Sequence, residues 1–461
     1  MKVLFATAEF APLASVGGLA QASAGLVKEL RRQGVDVIVA IPDYFGTELI
    51  DETVVELDVP QWAAPARARY GQIAGIGKVV LIHSAGIRRA HPYLHPDGTG
   101  WPDNDRRFFA FSAALVDLCR RESPDVLHLN DWHTAMTLAL ADRTPPSVLT
   151  IHTLGYQGTT DLGWLSNFGS RASAFEWHRV CNPLAGAIRI SDIAVTVSPS
   201  YAAEVLSPEM GFGLDELLRD KGDYFLGIIN GIDTEIWDPA NDDHLPAEFS
   251  LGEPRGKKLC TAKLRAEMGL PDSRGPMITM VTRLADQKGV DLALASVPYL
   301  DGMGAQLAIL GSGDSAMASR LRAACAAHPN TLAFREGYDD GLSHRLFAGG
   351  DLFLMPSRFE PCGLAQMQAM RYGAAPVACA VGGLRDTIID IDASPTRGTG
   401  VLAAEASALA VLDGLHRATR AWTSKPRREA MRKRGMSIDW SWSVPTKILI
   451  GHYERIKSAR G

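Results

Sequence analysis

The sequence predicts an α/β protein of two doubly wound, Rossmann-like domains, and three observations carry that reading: the chain length, a repeated alternation of short apolar runs with helical stretches, and polar or glycine-rich loops following the apolar runs. At 461 residues the chain exceeds what one core serves, and at about 150 residues per domain it divides into two or three units. Two large ones fit the alternation. A hydrophobic fraction of 46% beside 21% charged residues supplies ample material for such cores and excludes a disordered chain.

Residues 2–7 read as a buried strand, 19–32 as a helix and 35–41 as a second strand, a βαβ opening. Strand character returns at 126–129, 148–151 and 193–197. Between residues 233 and 276 the chain becomes polar and irregular, with DPANDDHLP and SLGEPRGKK, and the connection between domains is expected there. A second α/β run follows at 277–281, 307–310, 351–355 and 375–380. The expected division is a first domain over residues 1–245, a second over 246–438, and a terminal segment 439–461. In that segment Trp440, Trp442, Ile448, Leu449 and Tyr453 suit an amphipathic helix. No repeat of 20–50 residues and no low-complexity tract is present.

A formal net charge of −5, with no Lys/Arg run interleaved with aromatics, excludes a broad nucleic-acid surface. The six cysteines, Cys119, Cys181, Cys260, Cys325, Cys362 and Cys379, show no CxxC spacing, which fits reduced thiols in a cytoplasmic protein and gives no framework for zinc. The opening MKVLFATAEFAPL lacks the long apolar core of a leader, and no stretch of about 18 apolar residues follows. A cytoplasmic protein with neither membrane nor nucleic-acid partners is expected.

Ligands of open parallel sheets bind beyond the carboxyl ends of the strands, so the loops there are the candidate site. After the first apolar run come Glu9 and then Ser15-Val16-Gly17-Gly18-Leu19. The glycine pair either brings backbone N–H groups to an anion or serves as a turn and packing device. In His128-Leu129-Asn130-Asp131-Trp132-His133, Asp131 either bonds sugar hydroxyls while Trp132 stacks on a ring, or caps a helix with Trp132 in the core. His152 is either a packed, hydrogen-bonded imidazole or a site residue. Arg283 and Lys288 in VTRLADQKG suit a diphosphate, or are solvated charges at a helix start. Glu360, in Ser357-Arg358-Phe359-Glu360-Pro361-Cys362-Gly363-Leu364, is a carboxylate beside a helix start that favours anions, so function or capping must explain it. Gly382-Gly383 repeats the glycine device, and Tyr338 either stacks on a nucleobase or covers core.

Together these segments resemble the bacterial glycogen and starch synthases, over residues 2–455. The resemblance rests on PSRFEPCGLAQMQAMRYG (356–373), NGIDTEIWDP (230–239), VTRLADQKG (281–289), TIHTLGYQG (150–158) and NDWH (130–133), with weaker echoes in PDGTGWPDN, VSPSYAAEV, GFGLDELL and DWSW. It implies the GT-B fold, with the active site in a cleft between two Rossmann-like domains, and a terminal helix that crosses back to the first domain. It also implies a retaining transferase whose donor is ADP-glucose, UDP-glucose or another nucleotide-activated ring, with no metal and no cofactor. The acceptor would be a saccharide, a glucan or an amino sugar. By the same resemblance Arg283 and Lys288 neutralise the diphosphate, Glu360 contacts the transferred ring, and His152 and Asp131 line the sugar pocket. Gly17, Gly18, Asn230, Tyr338, Cys362, Gly363, Leu364, Gly382 and Gly383 form the donor side, with Tyr338 stacking on the base. Glu9, Ser15, Gln21, Trp132 and Thr153 belong to the acceptor and specificity side.

The chain departs from the family pattern at five places. Ser15 stands for lysine, Gln21 for aspartate, Thr153 for asparagine, Ala185 for lysine, and Cys379-Ala380-Val381 for a run with arginine and then threonine. These departures are expected on loops that meet the ligand. Three readings follow: drift within a glucan synthase; a relative acting on another donor or acceptor, including a pseudo-glycosyltransferase joining a nucleotide-activated cyclitol to an amine; or an idle sugar-binding protein on the same fold.

Overall fold

Apolar runs too short for helices become parallel strands whose side chains are buried on both faces, as a sheet covered on both sides requires. In the computed structural model, which describes residues 1–95, 98–141 and 143–460, the strands are β1 (Lys2–Ala6), β2 (Asp36–Pro42), β3 (Ile50–Glu56), β4 (Ala66–Ile73), β5 (Gly77–Ser84), β6 (Val126–Asn130), β7 (Ser147–Ile151), a short hairpin β8 (Glu176–Trp177) and β9 (Val180–Cys181), β10 (Ile193–Thr196), β11 (Phe225–Gly227), β12 (Met277–Leu284), β13 (Gln306–Gly313), β14 (Leu332–Glu336), β15 (Leu352–Met355), β16 (Ala375–Cys379) and β17 (Val401–Ala403). Pro96 and Asp97 of the PDGTGWPDN echo lie outside the described residues.

The chain forms two compact units, one of residues 1–231 with the segment from Trp442 onward, the other Ile232–Ser441. In the first, the sheet order is β11-β10-β7-β6-β1-β2-β5-β4-β3. The strands from β11 to β5 pair in parallel and β4 and β3 extend the sheet antiparallel. That extension has no counterpart in the sequence reading. Its edge strand β3, IDETVVE, is almost wholly exposed, and its charges pair across the sheet through Arg69 to Glu52 and Arg67 to Glu56, so it lacks the apolar signal that marks a buried strand. The second unit holds an all-parallel sheet, β14-β13-β12-β15-β16-β17.

Residues 232–245, expected in the first domain, pack in the second unit. Trp237 stacks on His344 with ring centroids 4.0 Å apart, Asp238 pairs with Arg371 at 3.0 Å, and Asp242 is buried against His344 at 2.7 Å. The apolar anchor within a polar stretch decides the boundary. At the other crossing, helix Ser443–Arg460 packs in the first unit, where Trp442, Leu449, Tyr453 and Ile456 share a core with Val3, Phe5, Val27 and Leu30. Helix Gly18–Arg32 admits the Trp442 indole because position 25 is glycine: a Cβ there would lie 2.2 Å from the indole nitrogen. Among the described residues no helix is long and apolar enough to cross a membrane.

Register sets up the site. In the first unit Ala6 pairs with Leu129, Asn130 with Thr150, and Ile151 with Thr196, so Glu9, Asp131 and His152 all leave the same sheet edge. In the second, Gly311 pairs with Glu336 and Met355 with Ala378, which brings the loops bearing Lys288, Tyr338, Glu360 and Gly383 to one edge.

Candidate functional site

The carboxylate of Glu9 organises the glycine loop of the first unit. Its Oε2 accepts the N–H groups of Val16 at 2.8 Å and Gly17 at 2.9 Å, and its Oε1 accepts the Tyr93 hydroxyl at 2.9 Å. The Gly17 N–H, expected to face a donor, is thus directed at a buried carboxylate that fixes the loop's shape. Ser15, Gly18 and Gln21 stand exposed on that loop and the helix it starts.

Asp131 sits at the start of the short helix Trp132–Ala135 with φ of 54°, and its side chain makes no bond to that helix. Left-handed backbone at a non-glycine residue costs about 1–3 kcal/mol and must be held by its surroundings. Here the hold is the bond from the His152 N–H to Asp131 Oδ1 at 2.7 Å. Burial pushes the Asp131 carboxyl up to about 7, against the lowering by the His152 and Thr153 N–H groups and with a further rise from Glu9. The capping alternative is therefore set aside: the carboxylate serves the next strand's loop.

His152 Nε2 lies 3.0 Å from Asn130 Oδ1, while Asn130 Nδ2 donates to the Ala6 carbonyl at 2.9 Å. The second bond orients the amide, so Nε2 carries the proton and Nδ1 is an acceptor. Burial lowers the imidazole to about 4, which keeps it neutral at ordinary pH. His152 and Asn230 line one cavity of about 30 Å³ with Asn130, Thr150 and Trp442, room for a water and too small for a sugar ring. Trp132 is half-buried, its ring edge-on to Phe108 at 5.2 Å. It lies against Gly158, where φ is +70° and a Cβ would come within 2.2 Å of the indole. Thr153 shares a hydrogen bond with Tyr201.

In the second unit the central contact is an ion pair, Lys288 Nζ to Glu360 Oε2 at 2.6 Å, with the Ser357 hydroxyl donating to the same oxygen at 3.0 Å. The sequence reading had given these two charges separate partners. Arg283 is the penultimate residue of β12, which runs past the expected end because its pairing with β13 continues to Leu284 and Gly313. It is exposed and donates to Gln287 Oε1 at 3.3 Å. Tyr338 is 81% exposed, which removes the reading of a core cover, and its hydroxyl donates to Asp340 at 3.2 Å.

The glycines serve close approach. Gly383 donates its N–H to the Glu360 carbonyl at 3.0 Å, and a Cβ there would lie 2.3 Å from the Cys362 carbonyl oxygen, so this N–H positions Glu360. Gly363 turns the chain at φ +74° before Leu364 and helix Ala365–Arg371, Cys362 is buried, and Gly382 has φ +41°. Of the departures from the family pattern, Ser15 and Gln21 are exposed, whereas Ala185 lies inside helix Pro183–Ile190 and Cys379 ends β16, both fully buried. The expectation that all the departures gather on ligand-facing loops fails at these two, whose side chains fill core.

Sequence reasoning missed a clamp. The Arg358 guanidinium binds Asp291 through two bonds of 2.9 and 2.7 Å and donates to the Asp286 carbonyl at 2.7 Å. The Arg358 N–H donates to the Gln287 carbonyl at 2.8 Å, and Gln287 Nε2 to the Phe359 carbonyl at 3.1 Å. Arg358, Asp286 and Gln287 lie in quoted motifs and Asp291 two residues beyond one, yet nothing local in either segment announces their pairing.

Two outcomes follow. Asp131 has a folded-state value near 7 against about 3.9 unfolded, so its contribution to stability is present below pH 4 and is lost as pH rises to 7. The melting temperature of wild type relative to Asp131→Asn should be higher at pH 5 than at pH 8; a difference independent of pH would show that Asp131 is ionised throughout. Arg358→Lys keeps the charge and loses the two-point bond. With about 1.5 kcal/mol at stake for a charge-assisted bond, amide exchange over residues 285–291 should quicken about tenfold, and unchanged exchange would remove the clamp.

Residues 2–220 match the family model described as starch synthase catalytic domain, and residues 265–437 the one for glycosyl transferases group 1. The chain is 37% identical to the glycogen synthase of Halorhodospira halophila, with 100% of both chains covered. It is 40% identical to that of Paramagnetospirillum magneticum over 85% of this chain and 84% of the relative. Among solved structures, the catalytic domain of starch synthase IV from Arabidopsis thaliana, bound to ADP and acarbose, is similar with a TM-score of 0.89 at 33% identity, covering 99% of each chain. Sucrose-phosphate synthase from Thermosynechococcus elongatus, 17% identical with a TM-score of 0.66 over 99% of each chain, shares the GT-B fold. End-to-end identity at this level, in a chain whose parallel-strand loops carry a paired lysine and glutamate in one unit and a buried Asp-His network in the other, makes this protein a glycosyltransferase of the glycogen and starch synthase family.

Proposed function

We propose that the chain transfers a hexose, with retention, from a nucleoside diphosphate sugar to a glucan or smaller saccharide, and that the exposed side chains of Ser15, on the glycine loop, and Gln21, in the first turn of the helix it starts, set an acceptor preference of their own. The observation that carries the transfer reading is the Lys288–Glu360 pair held by Ser357 and Gly383. A carboxylate fixed beside a cation suits a reaction in which a phosphate leaves as a cationic ring centre forms. In the reaction proposed, the bond between the anomeric carbon and the diphosphate oxygen breaks. The acceptor hydroxyl adds on the same face, and its proton passes to the departing phosphate oxygen. Arg283 and Lys288 supply the positive charge that the leaving diphosphate needs, and Glu360 faces the ring. Neutral His152 offers Nδ1 as an acceptor for a sugar hydroxyl, and exposed Tyr338 offers a face to the base. The donor expected first is ADP-glucose, and the starch synthase IV domain similar to this chain was solved with ADP and acarbose. The free state of all six cysteines fits work in the reducing cytoplasm.

A second reading, transfer of a nucleotide-activated ring to an amine, has one observation in its favour: Ser15 leaves an exposed loop position without the family's cation, and an ammonium-forming acceptor is repelled less there.

The deciding assay follows labelled glucose from ADP-glucose and UDP-glucose into glycogen and maltooligosaccharides, with nucleotide release read in parallel. Chain elongation supports glucan synthesis. Release without elongation, or only with amino-sugar acceptors, supports the second reading, and no release from any donor by folded protein refutes both. Glu360→Gln and Lys288→Ala should each lower turnover by about a hundredfold or more, the scale of one transition-state electrostatic contact; near-wild-type turnover in either would displace the assigned site. Ser15→Lys with Gln21→Asp should raise elongation relative to other transfers, and an unaltered acceptor profile would make the loop irrelevant to choice.

A further inference from the structure

Apart from the Lys288–Glu360 site, the second unit gathers three side chains with metal-binding chemistry. Asp340 and His344 lie four residues apart in helix Asp340–Gly349, so they share a helix face. His244 reaches them from the irregular segment after Trp237, and one potential donor atom from each of the three lies within 4.8 Å of the others. The His244 and His344 ring centroids are 4.8 Å apart.

His344 is built as a supported ligand is built. It is 2% exposed, Trp237 stacks on it at an interplanar angle of 15°, and its Nδ1 is bound to Asp242 at 2.7 Å. Asp242 is held in turn by the Tyr372 hydroxyl. A carboxylate on one ring nitrogen fixes the tautomer and orientation and leaves the other nitrogen, Nε2, for a metal. His244 and Asp340 are exposed, so their side chains are free to close on an ion. Zinc bonds of about 2.0–2.1 Å place neighbouring ligand atoms roughly 3.3 Å apart in a tetrahedron, a contraction that rotation of those two side chains supplies.

We propose that His244, Asp340 and His344 form a zinc-binding site, with Asp242 orienting His344 and water or a substrate oxygen at the fourth position. The ion ties residues 232–245 to the helix that follows Tyr338. Asp340 also accepts the Tyr338 hydroxyl, so zinc competes for that carboxylate and shifts the ring. This last consequence rests on the reading of Tyr338 as the face for the base, whereas the site itself does not.

The test uses untagged full-length protein stripped with a chelator. Calorimetry with zinc chloride should give one equivalent bound per chain, and cobalt(II) should give the intense visible bands of a tetrahedral nitrogen and oxygen site. His244→Ala and Asp340→Asn, both at exposed positions, should each weaken zinc at least tenfold while leaving the circular dichroism spectrum unchanged. Absence of stoichiometric uptake, or uptake unaltered in both variants, would overturn the site. Affinity for ADP, measured with and without zinc, should change at least threefold in wild type and stay constant in His244→Ala. Equal ADP affinity in wild type with and without zinc would refute the coupling to Tyr338 while calorimetry still judges the site.

Discussion

Loops leaving the parallel strands β12 and β15 meet at backbone distance, and glycine at position 289 is what lets them: φ there is +63° and a Cβ would stand 2.0 Å from the Pro356 carbonyl oxygen. Any side chain would drive the loops apart. Lys288 precedes that glycine and Glu360 follows Pro356 by one turn of loop, so their 2.6 Å contact depends on this closeness. The Arg358 bridge to Asp291 and the Asp286 carbonyl then locks the arrangement. Charge placement in the second unit is thus a backbone property first and a side-chain property second, the form of preorganisation that spares reorganisation when charge develops.

The first unit places its polar groups by a different rule. Asp131 and His152 are both pushed toward their neutral forms by burial, so beside the Glu9 carboxylate these two groups present hydrogen-bonding dipoles with little net charge. Such groups are stable only when paired, since an unpaired buried polar atom loses its hydration without return. The bonds from His152 to Asn130 and to Asp131 provide that pairing. One unit therefore carries fixed charges suited to a diphosphate, and the other carries neutral donors and acceptors suited to hydroxyls.

The α/β alternation was legible because buried parallel strands are continuous apolar runs, and β1, β2, β6, β7, β10, β12, β13, β15 and β16 all announce themselves that way. Strand β3 did not, because it is an exposed edge strand whose own Asp51, Glu52 and Glu56 break any apolar run. Individual candidate residues could be singled out where motif and strand end coincide, as at Glu360, Asp131 and His152. What each bonds to was not, because Glu9 to Gly17, Arg358 to Asp291 and Gly383 to Glu360 are contacts fixed by tertiary approach. Cysteine spacing is silent on the His244, Asp340 and His344 cluster for the same reason: the ligands are imidazoles and a carboxylate from separate stretches of chain.

Because the first unit contains both the opening residues and the segment from Trp442 onward, the second unit is an insertion within it, and its two ends meet where the Ile232 N–H donates to the Trp440 carbonyl at 2.8 Å. Synthesis on the ribosome runs from one terminus to the other. The inserted unit has all of its residues once position 441 has emerged, whereas the surrounding unit still lacks Trp442, Leu449, Tyr453 and Ile456 for the core around Phe5 and Val27. The part of the chain made first is therefore the last able to finish folding, and a nascent chain stalled before residue 442 carries an open apolar face along helix Gly18–Arg32 until translation ends.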